Sequence, residues 1–216
     1  KIFVARPGCT LIVCDYDQIE LRLMAHMSQE TAMLRVFQEG EDIHAGTGRE
    51  LFPHWDTVSE EEQGRLRKYA KTGNFLMSYR GGAKRMAEAL NISIREAQEF
   101  IENYWAKFPR LKEWGDAVME EGRRQGYSET LFHHRRYVPE VDSEDWYLYE
   151  RAGKQLLNHV VQGTAAEVMK LALIVVDTYH TAPLLLTVHD EIVCETEDPN
   201  FMWWGEGIAR AMEHVL

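Results

Sequence analysis

Apolar positions follow two periods along the chain, and the switches between them lay out its elements. After a turn at Pro7 and Gly8, residues 10–14 form a short apolar, β-rich run that reads as a buried strand. From Gln18 the pattern turns helical, with Ile19, Leu21, Leu23, Met24 and Met27 giving an apolar face. Asp15 therefore stands where a strand gives way to a helix, a rigid place for a functional carboxylate, although a helix-capping Asp gives the same pattern. Helical spacing continues over 31–38, breaks at Gly40, and resumes over 45–51 before Pro53. Ser59 with Glu62 predicts a capped helix start, and the helix is expected to run to Gly81 and Gly82. Ser93 with Glu96 predicts a second capping box, with helix to about 107 and another over 111–125, stopped by Gly126. Residues 130–138 alternate around His133 and His134 and predict a hairpin. Helical pattern returns over 146–157 and 164–179, with a break expected at Gly163. Residues 184–188 and 191–195 are two strands joined by the tight turn His189–Asp190, and 202–215 a final helix with Trp203 and Trp204 on a sheet.

The helix after Ser59 is the most informative stretch. Leu66, Ala70, Gly73 and Met77 form an apolar stripe, while Arg67, Lys71, Phe75 and Tyr79 recur every fourth residue on another. Residues 65–85 contain no acidic side chain, so the run is expected to meet an anion. Two cations followed by two rings suit a nucleotide, the cations facing phosphates and a ring covering the base and sugar. A solvated basic face of an amphipathic helix has the same pattern.

Composition narrows this. The 216 residues are 45% hydrophobic and 27% charged, ordinary globular material, and the net charge of -11 leaves nucleic acid a local patch, or segments outside these residues, to bind. The three cysteines form no metal or redox pair, and Cys14 and Cys194 lie in apolar runs as small core residues. No signal peptide or membrane span is expected, the run 171–176 being too short. Two carboxylates at strand ends, Asp15 and Asp190, with a basic and aromatic helix between them in sequence, are the parts of two-metal nucleotidyl transfer. Asn158 and Gln162, four apart, could present amides to minor-groove acceptors.

Six segments in order resemble family A DNA polymerases. DYDQIELRLMAHMS at 15–28 resembles their motif A, RKYAKTGNFLMSY at 67–79 motif B, and LLLTVHDEIVCE at 184–195 motif C. DIHAGT at 42–47, ETLFHHRRYVP at 129–139 and NHVVQGTAAEVMKLA at 158–172 match further blocks. The resemblance implies an α+β fold, a mostly helical fingers lobe on a small antiparallel palm sheet: a partial right-hand polymerase with its thumb absent. Palm would comprise 1–28 and 127–216, and fingers 29–126, with the motif B helix at about 60–80. Implied partners are primer-template DNA, dNTPs, and the missing thumb and palm segments, with no membrane. The implied setting is cytoplasmic, whether the organism's own or a phage host's, with an organelle also open.

The implied activity is template-directed transfer of a dNTP to a primer 3′-OH with release of pyrophosphate, using two Mg²⁺ ions or Mn²⁺ in their place. Asp15, Asp190 and the carbonyl of Tyr16 would hold the metals, supported by Glu191. Arg67, Lys71 and His44 would grip the triphosphate, with Lys71 the general acid toward pyrophosphate. Phe75 would stack on sugar and base, Tyr79 would sit by the template base, and Glu20, with Gln18 beside it, would exclude a 2′-OH. Arg22, Lys154, Asn158, Gln162 and His189 would contact DNA. The family usually has Gly where this chain has Leu76 and Arg80, a Ser at Asp17 and a Gly at His133. The 216 residues alone are expected to be weak or inactive. A non-catalytic nucleic-acid-binding remnant and a single-subunit RNA polymerase relative are the alternatives.

Overall fold

The computed structural model describes residues 3–179 and 183–215. In chain order these form β1 (Cys9–Asp15), α1 (Ile19–Ser28), α2 (Thr31–Gln38), α3 (Ile43–Leu51), α4 (Glu60–Ser78), α5 (Ala83–Leu90), α6 (Ile94–Lys107) and α7 (Pro109–Gln125). The hairpin β2 (Tyr127–Glu129) and β3 (Arg135–Tyr137), helix α8 (Trp146–Tyr179), strands β4 (Leu184–Val188) and β5 (Glu191–Glu197), and α9 (Phe201–Glu213) follow. The class is α+β, helices with small antiparallel sheets. The chain divides into two compact units, residues 1–19 with 162–216 and residues 20–161.

The first unit is a three-stranded antiparallel sheet in the order β1-β5-β4. Its register pairs Ile12 with Cys194, Cys14 with Ile192 and Asp15 with Glu191. Paired residues share a face of the sheet. Ile12, Ile192 and Cys194 are buried in one cluster with Ala172 and Val176 of α8 and Ile208 and Met212 of α9. Cys194 is fully buried and Cys14 half-buried, as core residues. Trp204 packs partly on this cluster, but Trp203 is exposed, contrary to expectation, because it lies on the outer side of α9.

The second unit is the helical one. The stripe Leu66, Ala70, Gly73 and Met77 is buried as its spacing requires. Ser59 caps α4 by accepting from the Glu62 N–H, but the reciprocal bond is replaced by an ion pair of Glu62 with Arg65 at 2.6 Å. Ser93 and Glu96 form the complete box. Gly48 lies against the buried Trp55, where an added Cβ would sit 2.2 Å from the ring. Gly48→Ala should therefore cost about 1–3 kcal/mol by overpacking. A urea midpoint equal to that of the unmodified protein would contradict this contact.

Two expectations of helix ends fail. Helix α8 runs unbroken through Gly163, because buried residues flank it on both sides (Val160, Val161, Thr164, Val168) and packing outweighs a glycine cost of about 1 kcal/mol. It is also long and apolar enough over 146–178 to cross a membrane, which the shorter run 171–176 did not reveal, yet Leu156, Val161, Ala172 and Val176 are fully buried in protein. Helix α4 stops at Ser78, before the two glycines, with Arg80 in the left-handed region at φ 52°.

Candidate active site

In the first unit the strand register brings the two aspartates together. Asp15 ends β1 opposite Glu191, and Asp190 occupies the two-residue turn that leads into β5. The Tyr16 N–H donates to the Asp190 carbonyl at 3.3 Å, tying the turn to the end of β1. Tyr16 is itself anchored, its hydroxyl donating to the Met212 carbonyl at 2.7 Å. The Asp15 carboxyl is pushed above the usual carboxylate range by burial first, then by the charges of Asp190 and Glu191, a hydrogen bond with Asp190 and the charge of Asp17. A pair of carboxylates so placed repel each other, and a hard cation with oxygen ligands relieves that repulsion. Among the described residues no group of three or more His, Cys, Asp or Glu converges on one point.

Gln18 and His189, at φ 55° each, occupy the backbone region that favours glycine. Such conformations cost on the order of 1–3 kcal/mol and cluster at functional sites. Both flank the aspartates in sequence.

In the second unit α4 carries Arg67, Lys71 and Phe75 of the row, and Tyr79 caps its C-terminal end. Lys71 is exposed and, among the described residues, has no ion pair. Phe75 is 58% exposed, an unusual surface position for a large ring, and lies 6.1 Å from the Tyr79 ring. The Tyr79 hydroxyl donates to the Glu20 carboxylate of α1.

Arg67 differs from the expectation of an external anion. Its guanidinium forms a bidentate pair with Asp42, with bonds of 2.9 and 2.6 Å. Burial pushes the Asp42 carboxyl up, but Arg67 and the Ala45 N–H hold it below the usual range. Glu62 also meets Arg65 and Asp116 meets Arg80, so three of the seven cations of the acid-free run are paired within the protein. His44 is buried in α3, only 1% exposed, with Nδ1 3.1 Å from the Asn74 amide nitrogen. Asn74 is itself fully buried and accepts from the Tyr104 hydroxyl at 3.0 Å.

Asp42 and Asn74 are the partners of Arg67 and His44 that sequence reading passed over. The signal for Asn74 was a polar side chain beside the buried stripe of α4, and for Asp42 an acid at a helix start. Among the residues expected to contact DNA, Arg22 is exposed and lies over the Phe37 ring at 4.5 Å. Gln162 and His189 are exposed and Lys154 half-buried. Asn158 is half-buried, with a buried Oδ1 that has no partner among the described residues.

The whole chain, residues 1–216, matches the model of DNA polymerase family A. The thermostable DNA polymerase I of Thermus aquaticus is 41% identical over all of this chain and 26% of its own length. DNA polymerase I of Geobacillus stearothermophilus is 36% identical over 88% of this chain and 22% of its own. Among solved structures, the POL domain of Pol1 from M. smegmatis, in complex with DNA primer-template and dNTP, superposes with a TM-score of 0.90 at 32% identity, covering 99% of this chain and 38% of that one. The chain belongs to DNA polymerase family A. It spans about a quarter of the length of the curated relatives it matches.

Proposed function

We propose that this chain carries the catalytic and nucleotide-binding parts of a template-directed DNA polymerase that adds a dNTP to a primer 3′-OH and releases pyrophosphate. The observation that carries this reading is the pairing of Asp15 with Asp190 at the end of one sheet, in a chain that belongs to this family. In this reading residues 1–28 and 127–216 serve as palm and 29–126 as fingers. Those functional divisions differ from the packing ones, since 20–28 and 127–161 pack with the helical unit. Segments outside residues 1–216 would supply much of the grip on DNA, and primer-template DNA and dNTPs are the proposed partners, by analogy with the M. smegmatis complex.

Asp15, Asp190 and the Tyr16 carbonyl are the proposed ligands of two divalent ions, with Glu191 supporting them. When bound, such ions lower the pKa of the attacking hydroxyl and neutralise charge on the phosphate. Lys71 is free to approach a triphosphate and give a proton to the departing pyrophosphate. Arg67 and His44 are proposed to complete the phosphate grip, Arg67 while leaning on Asp42. Phase-matched stacking falls to Phe75, whose exposed ring offers a face to the base and sugar. Tyr79 sits at the template base in this assignment, and Gln18 beside the gate. Arg22, Lys154, Asn158, Gln162 and His189 are the proposed DNA contacts.

Glu20 is the proposed gate against a 2′-hydroxyl, and its bond to Tyr79 supports deoxyribonucleotide over ribonucleotide use. Shortening the gate tests the substrate class. Glu20→Ala in the full-length protein should narrow the preference for dNTP over rNTP by about 10–100-fold, the range in which one steric contact discriminates. The measurement is single-nucleotide extension with each substrate, and an unchanged ratio rejects the gate.

A further inference from the structure

Arg80 follows Tyr79 just past the end of α4, and the structure gives that arginine a site of its own. Its backbone takes φ 52°, in the left-handed region where glycine is free and arginine is not. The side chain is only 13% exposed, and burial lowers the guanidinium pKa against the opposing charge of Asp116. A strained backbone and a desolvated cation are both unfavourable unless the position gains something in return.

The gain is a set of contacts to two other helices. The guanidinium donates to the Lys112 carbonyl of α7 at 2.8 Å and pairs with Asp116 at 3.0 Å. Its plane lies over the Trp105 ring of α6, 4.6 Å from the centroid. Space for it exists because residue 115 is glycine: a Cβ there would lie 2.3 Å from the guanidinium nitrogen. Arg80 directly follows Tyr79, the residue whose hydroxyl holds Glu20. Its own N–H donates to the Met77 carbonyl at 3.1 Å, closing the last turn of α4.

We infer that Arg80 is a positioning residue for the nucleotide face of α4. Its guanidinium pins the end of the helix to α6 and α7, so that Tyr79 meets Glu20 in a fixed place and α4 moves with those helices as one body. The inference rests on the proposed polymerase reading for its effect on nucleotide use, but the pin itself stands on contacts within the helical unit.

The test uses Arg80→Gly, Arg80→Lys and Gly115→Ala in the full-length protein. Arg80→Gly should raise KM for dNTP about tenfold, the scale of one charge-assisted hydrogen bond, with kcat little changed and the dNTP over rNTP preference reduced. Arg80→Lys should not restore KM, because an ammonium lacks the planar fork that reaches a carbonyl, a carboxylate and a ring together. Gly115→Ala should reproduce Arg80→Gly by expelling the guanidinium, and the double variant should be no worse than either. Amide hydrogen exchange at residues 77–82 should quicken about tenfold in Arg80→Gly and in Gly115→Ala, the same energy read as local opening. A lower melting temperature with KM and exchange unchanged overturns the inference, as does additivity of the two changes. If the unmodified protein extends no primer, the polymerase reading fails, and unchanged exchange at 77–82 is then the result that removes the pin.

Discussion

Asp190→Asn in the full-length protein should lower primer extension about a thousandfold or more, the rate equivalent of several kcal/mol of lost metal-ion stabilisation. Asn is close to isosteric, and the bond that fixes the turn uses the Asp190 carbonyl as acceptor for Tyr16, so the backbone should survive. What disappears is one negative charge and two strong acceptor sites. DNA affinity, measured by anisotropy, should be nearly unchanged. Extension at more than a tenth of the normal rate would show that the metals are held elsewhere.

The same change has a second readout. Asp190 is one of the groups that push the Asp15 carboxyl up, after burial. Removing its charge should bring the Asp15 pKa part of the way back toward the usual range, visible in a carboxyl NMR titration. The sign for stability follows from the direction of the shift. A carboxyl whose folded pKa is raised contributes its stability below the ordinary carboxylate pKa and loses it as pH rises through the raised value. Wherever both carboxyls are ionised they repel each other, and the proposed divalent cation would offset that repulsion.

Lys71→Ala should reduce the rate of nucleotide addition about 10²–10⁴-fold, the usual contribution of a positioned general acid. Lys71→Arg separates proton transfer from charge. An arginine restores the charge at the same point of α4 but does not give up a proton at any ordinary pH. Proton donation by Lys71 thus requires that Lys71→Arg stay nearly as slow as Lys71→Ala. Recovery to near the normal rate would mean that this side chain acts by charge alone. The structure makes this residue the informative one of the row, since Arg67 already spends its fork on Asp42.

Much of the molecule was legible from local pattern. The buried stripe of α4, the Ser93–Glu96 box, the two strands around His189 and Asp190 and the helix after Asp15 all follow from periodicity and capping, which act over a few residues. Where pattern misled, a distant contact outweighed a local preference. Gly163 reads as a break, but buried neighbours carry α8 through it. Gly81 and Gly82 read as the end of α4, but the helix stops earlier, at Ser78, two residues before an arginine held by α6 and α7.

The candidate site divides in the same way. Periodicity and strand ends picked out Asp15, Asp190 and the row Arg67, Lys71, Phe75 and Tyr79, and the resemblance of residues 15–28, 67–79 and 184–195 to family A DNA polymerases implied the other candidate groups. The tertiary structure alone decided which groups meet. It set Asp15 beside Asp190 through the β1–β5 register, gave Arg67 to Asp42, placed Asn74 between His44 and Tyr104, and made Gly115 the room for Arg80. Local sequence sets the conformational preference of each segment, whereas these pairings join residues far apart in the chain and form only when the cores beneath them close.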